Sequence, residues 1–209
     1  QRGQWLLRDQ IVDLMWPDLP MDAGVRDFKV ALNALNRALE PNRPRSAQPF
    51  FIIRNENTYG LNPAARIRVD ADDFTALSPA DAPLPGLRRA LALYEDDFLP
   101  ECRYEDWAAP ERERLRDHYL GASERLLTAL VERRAWDEVI AISSQTLVRD
   151  NCWEPGYRSL MQAFAARGNF AQVQAAYNRC AATLHDELAV EPSPETRSLL
   201  RRLIPPRTG

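Results

Sequence analysis

The stretch Tyr157–Cys180, YRSLMQAFAARGNFAQVQAAYNRC, decides the fold. Its apolar residues fall at helical spacing on both sides of Gly168, so it reads as a helix, a tight turn and a second helix. Tyr157 and Tyr177 share that spacing. Thirty-four residues upstream the pattern repeats: Leu126 matches Leu160, Leu130 matches Phe164, Trp136 matches Phe170 and Val139 matches Val173. A period of about 34 residues is the signature of tetratricopeptide-type helix pairs. A single pair cannot bury its apolar face, so pairs must stack, which leaves a curved surface with exposed grooves. Residues 86–204 are therefore expected to form a helical repeat domain, with 205–209 as a tail.

Upstream, the segment SPADAPLP from Ser78 to Pro85 is rich in proline and poor in large side chains. Residues 64–85 read as a connecting segment and linker. Residues 1–63 follow a different pattern. Leu7, Ile11, Leu14 and Met15 mark one face of a short helix, with Leu6–Asp18 as its extent, and Pro17 stops it. Asp22 is a candidate N-cap for the next helix. Val25, Phe28, Leu32, Leu35 and Leu39 then form a buried stripe that ends at Pro41. FFIIR and TYGL read as two strands turned at Asn55-Glu56-Asn57, where asparagine tolerates left-handed geometry.

Opposite the stripe of the second helix lie Arg26, Val30, Asn33 and Arg37, with Lys29 at the margin, while Asp27 and Glu40 dilute the charge. Arginine and lysine can meet phosphates or guanine edges, asparagine can pair with adenine, and valine can touch a thymine methyl. Arg54 stands beside the hairpin turn, where a wing reaches DNA. The order helix, connection, amphipathic helix, hairpin is that of a winged helix, and the connection Trp16–Met21 exceeds the tight turn of a simple helix-turn-helix. The expected fold is mainly α: a partial winged helix-turn-helix with a β-hairpin wing, in residues 1–63, followed by the tetratricopeptide-like domain.

These residues carry a family resemblance. RDQIVDLMWPD, ALNALNRALEP and NTYGLN resemble the C-terminal part of an OmpR-type winged helix. LALYEDDFLPE, WAAPERERLR from Trp107, YRSLMQAFAARGNFAQVQAAYNRC and LAVEPSPET resemble the bacterial transcriptional activator domain. Together the halves are similar to the SARP-type bacterial activators. The resemblance implies a cytoplasmic regulator that binds double-stranded promoter DNA, often at repeated sites, and recruits RNA polymerase, with the helical domain mediating self-association as a homodimer or polymerase contact. The sequence departs from the family at Leu7, where Ser or Thr is usual, at Asn36 for arginine, at the glycine-poor turn with Glu56 facing phosphates, and at Asp96 for glycine. The strands and helix that open such a winged helix are expected in an upstream segment, as the start at Gln1 suggests.

Composition narrows the alternatives. The chain has 209 residues, 45% of them hydrophobic and 27% charged, with a formal net charge of −3. These are globular proportions, and no apolar run approaches the ~18 residues of a membrane span. Residues 1–63 carry eight cations and seven anions, so they are +1 and the remainder −4. Three dispersed cysteines, Cys102, Cys152 and Cys180, fit a reducing cytosol. Two histidines, His118 and His185, make no metal cluster, and no phosphate loop or catalytic triad is present. No catalytic residue, cofactor, metal or membrane contact is expected. The rival reading is a scaffold or sensor whose repeats bind a protein or ligand, with Tyr104, Trp107, Trp136 and Trp153 lining a groove and a winged helix that leaves DNA alone.

Overall fold

The computed structural model describes residues 4–204. It divides into two compact units: residues up to Arg68 with Glu105–Trp107, and Val69–Tyr104 with the residues from Ala108. The described residues are mainly helical, with one small antiparallel sheet. None of their helices is long and apolar enough to cross a membrane.

In the first unit, β1 (Leu6–Leu7) leads into α1 (Arg8–Met15), and α2 (Met21–Leu39) follows. The hairpin β2 (Ile52–Asn55) and β3 (Thr58–Leu61) completes a sheet of order β1-β3-β2. Leu6 pairs with Tyr59 and Leu7 with Thr58. The first helix is thus shorter than Leu6–Asp18, because its first two leucines are extended and paired to the wing. Leu7 supplies no side-chain cap; the Gln10 Oε1 accepts its N–H at 3.2 Å instead.

The expected inner face of α1 is also corrected. Val12 is the buried residue, 1% exposed, whereas Leu7, Leu14 and Met15 are exposed. Val12 is the anchor because Gly24 of α2 leaves room for it: a Cβ on Gly24 would lie 2.4 Å from Val12 Cγ1. On α2, Phe28 is buried and Val25 and Leu32 are half-buried, as the stripe requires, but Leu35 and Leu39 stand 46% and 40% exposed. Asn36 is the buried residue of the last turns. Helix α2 starts one residue before Asp22, behind Pro20, so Asp22 favours the helix dipole from the first turn rather than capping it. The hairpin turns with Glu56, not an asparagine, in left-handed geometry (φ 51°).

The second unit begins with α3 (Asp70–Leu77) and α4 (Leu84–Leu93). Residues 64–85 are therefore more than a connection: Phe74 and Ser78 are fully packed, the phenyl ring against Tyr94 and edge-on to His118. The proline-rich stretch supplies the short turn between the two helices and, with Leu84 and Pro85, the start of α4. Two helix pairs follow, α5 (Ala109–Glu132) with α6 (Trp136–Arg149), and α7 (Glu154–Ala166) with α8 (Phe170–Leu188), closed by α9 (Pro194–Leu203). Among these, α5 packs on α7 and α7 on α9, with α6 and α8 behind.

The 34-residue period is visible in the backbone. Arg134 N–H bonds to Val131 O and Ala135 N–H to Leu130 O. One repeat later Gly168 N–H bonds to Ala165 O and Asn169 N–H to Phe164 O. These paired bonds close a helix C-terminus with one residue in left-handed geometry, Arg134 (φ 56°) in the first copy and Gly168 (φ 71°) in the second. Leu126, Leu130, Val139, Val173 and Tyr157 are wholly buried. Trp153 and Ile140 touch both core clusters and join the repeats.

Candidate nucleic-acid interface

Helix α2 presents one polar face. Arg26, Lys29, Val30, Asn33 and Arg37 are all exposed, Val30 at 69%. At 100° per residue they fall within an arc of about 100°. The side chains of Arg26, Lys29, Asn33 and Arg37 have no hydrogen-bond or ion-pair partner among the described residues. Three cations and an amide thus stand on one helix without internal neutralisation. Packing explains why this face points outward: Val12 is set into Gly24, and Phe28 meets the Tyr59 ring edge-on at 4.9 Å.

Arg54 is exposed on β2. Its Nε donates to Glu56 O at the turn, and its guanidinium lies 5.9 Å from the Tyr59 ring centre. Phe28, Tyr59 and Arg54 therefore form a chain of contacts from helix to wing. A cation stacked on an aromatic gains about 0.5–1 kcal/mol at an exposed site, enough to bias its direction.

Sequence reasoning missed the role of Glu40. It counted against the basic face, yet its carboxylate accepts the Phe50 and Phe51 N–H groups at 2.8 and 3.3 Å and pairs with Arg43 at 3.6 Å. Glu40 ties the end of α2 to the start of the hairpin. Asn62 closes the other side, donating from Nδ2 to Phe50 O. Glu56 remains exposed at the wing tip. Apolar surface also remains: Leu14 is 55% exposed, and Leu35, Leu39 and Phe50 are exposed with it. Phe28, in contrast, is covered by Tyr59.

The helical unit offers different chemistry. A cavity of about 450 Å³ has Phe74, Tyr94 and Phe98 at its floor and Asp70, Glu95, Asp96 and Asp97 around it. Arg149 donates to Tyr94 O and Glu95 O, and Arg112 to Phe98 O, Cys102 O and Arg103 O, so these two guanidinium groups hold the 94–103 loop. Burial, and then the Asp97 carboxylate that its hydroxyl meets at 3.0 Å, pushes the Tyr94 phenol far up. Of the four aromatics expected along a groove, Trp107 belongs to the first unit, and the three of the second do not share one surface. Tyr104 is 94% exposed, whereas Trp136 and Trp153 pack on the core. Cys180 is fully buried, and burial, then Glu154, pushes its thiol up to about 12. A thiol held so far up is structural. Among the described residues no group of three metal-ligating side chains comes together.

The profile of the bacterial transcriptional activator domain matches residues 72–204. The chain belongs to that family. It is therefore a member of a family of transcriptional activators. No curated protein matches it. Among solved structures it is similar to Mycobacterium tuberculosis EmbR in complex with a low-affinity phosphopeptide, at 19% identity and a TM-score of 0.74. That likeness covers 97% of this chain and 55% of the EmbR chain, so the present chain spans about half the length of its relative. At this identity the match speaks for the fold: a mainly helical protein with a small hairpin sheet, as the sequence suggested.

Proposed function

We propose that this family member is a cytoplasmic, sequence-specific regulator that reads double-stranded promoter DNA with α2 and the β2–β3 wing. It activates transcription at promoter repeats by contact with RNA polymerase, and its helical unit supports self-association. The observation that carries the reading is the unpartnered face of Arg26, Lys29, Asn33 and Arg37 on a helix anchored by Val12 and Phe28. Arg26, Asn33 and Arg37 meet base edges or phosphates in the major groove, Val30 contacts a thymine methyl, and Lys29 and Arg54 take the backbone. The net charge of −3 does not oppose this, since phosphate contact is local.

Salt dependence tests it. Four cations, Arg26, Lys29, Arg37 and Arg54, give a slope of log K against log salt near −3.6 for one protomer, at about −0.9 per phosphate. Affinity should then fall roughly 150-fold between 50 and 200 mM salt. Anisotropy with a selected promoter duplex should show that slope become shallower by about one on Arg37→Ala. An unchanged affinity and slope in Arg26→Ala and Arg37→Ala would remove α2 as the reading element and favour the scaffold alternative.

A further inference from the structure

The cavity beside the 94–103 loop carries negative charge that the protein leaves unpaired. Five carboxylates, those of Asp70, Glu95, Asp96, Asp97 and Glu101, line its volume of about 450 Å³, and no Lys, Arg or His lines it. Their hydrogen-bond partners are all neutral. Asp70 accepts Ala71 N–H at 2.8 Å, Asp96 accepts Asp97 N–H at 2.8 Å, and Asp97 accepts the Tyr94 hydroxyl at 3.0 Å. The Glu95 and Glu101 carboxylates meet no donor among the described residues. The guanidinium groups that hold the loop form no ion pair with these acids, because Arg112 and Arg149 direct their N–H groups to its carbonyls.

Carboxylates alone mark any solvated loop. Here they ring an apolar floor, where Leu93, Leu99 and Leu115 stand with Phe74, Tyr94 and Phe98. Tyr94 is already engaged, stacked on Tyr119 at 4.6 Å with the Arg149 guanidinium 5.7 Å from its ring centre. Phe98 differs: it is half-buried, and its ring meets no other aromatic ring and no cation among the described residues. An open ring face attracts a cation, and a concave site lined by one sign of charge concentrates ions of the opposite sign. The volume falls in the range of small-molecule sites, about 300–1,000 Å³. Spacing decides against a metal ion, since among the described residues no three carboxylates come close enough to hold one. Dispersed carboxylates around an apolar floor match a ligand whose positive charges are separated by hydrocarbon.

We propose that this cavity binds a linear polyamine, an alkyl chain bearing two or more ammonium groups. The methylenes lie over Phe98 and the leucines, and the ammonium groups meet Glu95 and Glu101, the two carboxylates without an internal donor. The site lies wholly in the helical unit and does not depend on DNA reading by α2.

Isothermal titration calorimetry of the full chain with spermidine, at an ionic strength of about 0.15 M, tests the site. Binding should saturate at one ligand per chain. Glu95→Gln with Glu101→Gln should weaken it roughly tenfold or more. Neither carboxylate has an internal partner, so the melting temperature should hold and misfolding is excluded as the cause. Phe98→Leu keeps an apolar floor but removes the ring face, and should cost about two- to fivefold. Glu124→Gln with Glu132→Gln removes the same charge elsewhere on the helical unit and should change nothing. The titration contains no DNA, so its failure is separable from failure of the DNA reading. Absence of binding overturns the proposal. So does binding that never saturates, that magnesium chloride displaces at equal charge, or that falls as far in the Glu124 and Glu132 variant, each the mark of diffuse attraction to acidic surface. Butylamine binding as tightly as spermidine would also overturn it, by showing that a single ammonium suffices.

Discussion

The contact of Val12 with Gly24 sets how closely α1 packs on α2, and a double-mutant cycle measures it. Gly24→Ala would bring a Cβ to 2.4 Å from Val12 Cγ1. Val12 is β-branched and 1% exposed, so it has no free rotamer in a helix with which to retreat. Overpacking of this kind costs about 1–3 kcal/mol, offset by about 1 kcal/mol of improved helix propensity. The net expected loss is about 1 kcal/mol. Val12→Ala alone removes two buried methyl-sized groups and leaves a cavity, a loss of about 2 kcal/mol. In the double variant the new Cβ sits where the valine methyls were, so the losses should not add, and a favourable coupling of about 1–2 kcal/mol is expected. Hydrogen exchange of the α2 amides in the full chain reads this unit separately from the repeats. Losses that add within about 0.5 kcal/mol would show that the two residues do not meet.

Other outcomes follow from the repeats. Gly168→Ala should cost about 1–2 kcal/mol from backbone alone, since its Cβ meets nothing within 4 Å, while Arg134→Gly at the equivalent turn should stabilise by about 0.5–1 kcal/mol. Thermal denaturation compares the pair, and a harmless Gly168→Ala with a damaging Arg134→Gly would contradict the shared turn geometry. His118 supplies a pH effect. Ser78 Oγ lies 2.8 Å from His118 Nε2 and gives its own proton to Phe74 O, so the imidazole donates to it. Burial, and then Arg125 and Arg114, holds the His118 pKa below its usual 6.5. The unfolded chain therefore binds the proton first as pH falls. Stability from this group is complete above pH 6.5 and is lost as pH drops toward the lowered folded value. Melting temperature should fall more steeply from pH 7 to 5 in the wild type than in His118→Gln, and equal slopes would refute the assignment.

The repeats were legible because their signal is redundant. Leu126, Leu130 and Val139 recur as Leu160, Phe164 and Val173 at a fixed period, although Phe170, in the place of the packed Trp136, is 49% exposed. The polar face of α2 was legible for a similar reason: helical rotation alone puts Arg26, Val30, Asn33 and Arg37 together. Which apolar residues are covered was not. Leu35 and Leu39 share a face with Phe28, yet in the last two turns only Asn36, on a neighbouring face, is enclosed. Likewise Val12 outranks Leu14 because of a glycine on the facing helix, a property no periodicity within α1 contains. Strand β1 was hidden because two residues cannot show alternation, and it exists through pairing with Thr58 and Tyr59. Glu40 was misjudged because a charge count cannot tell a solvated carboxylate from one that caps two backbone N–H groups.

DNA reading by α2 is the central claim, and selection from the protein's own genome tests it most directly. The longest natural form of the chain would be mixed with genomic fragments at near-physiological salt, and the bound fragments sequenced. The account predicts a repeated motif, recovered by the wild type and lost with Arg26→Ala and Arg37→Ala together. Recovery of the same motif by the double variant, or of unselected DNA that washes off with modest salt, would contradict it.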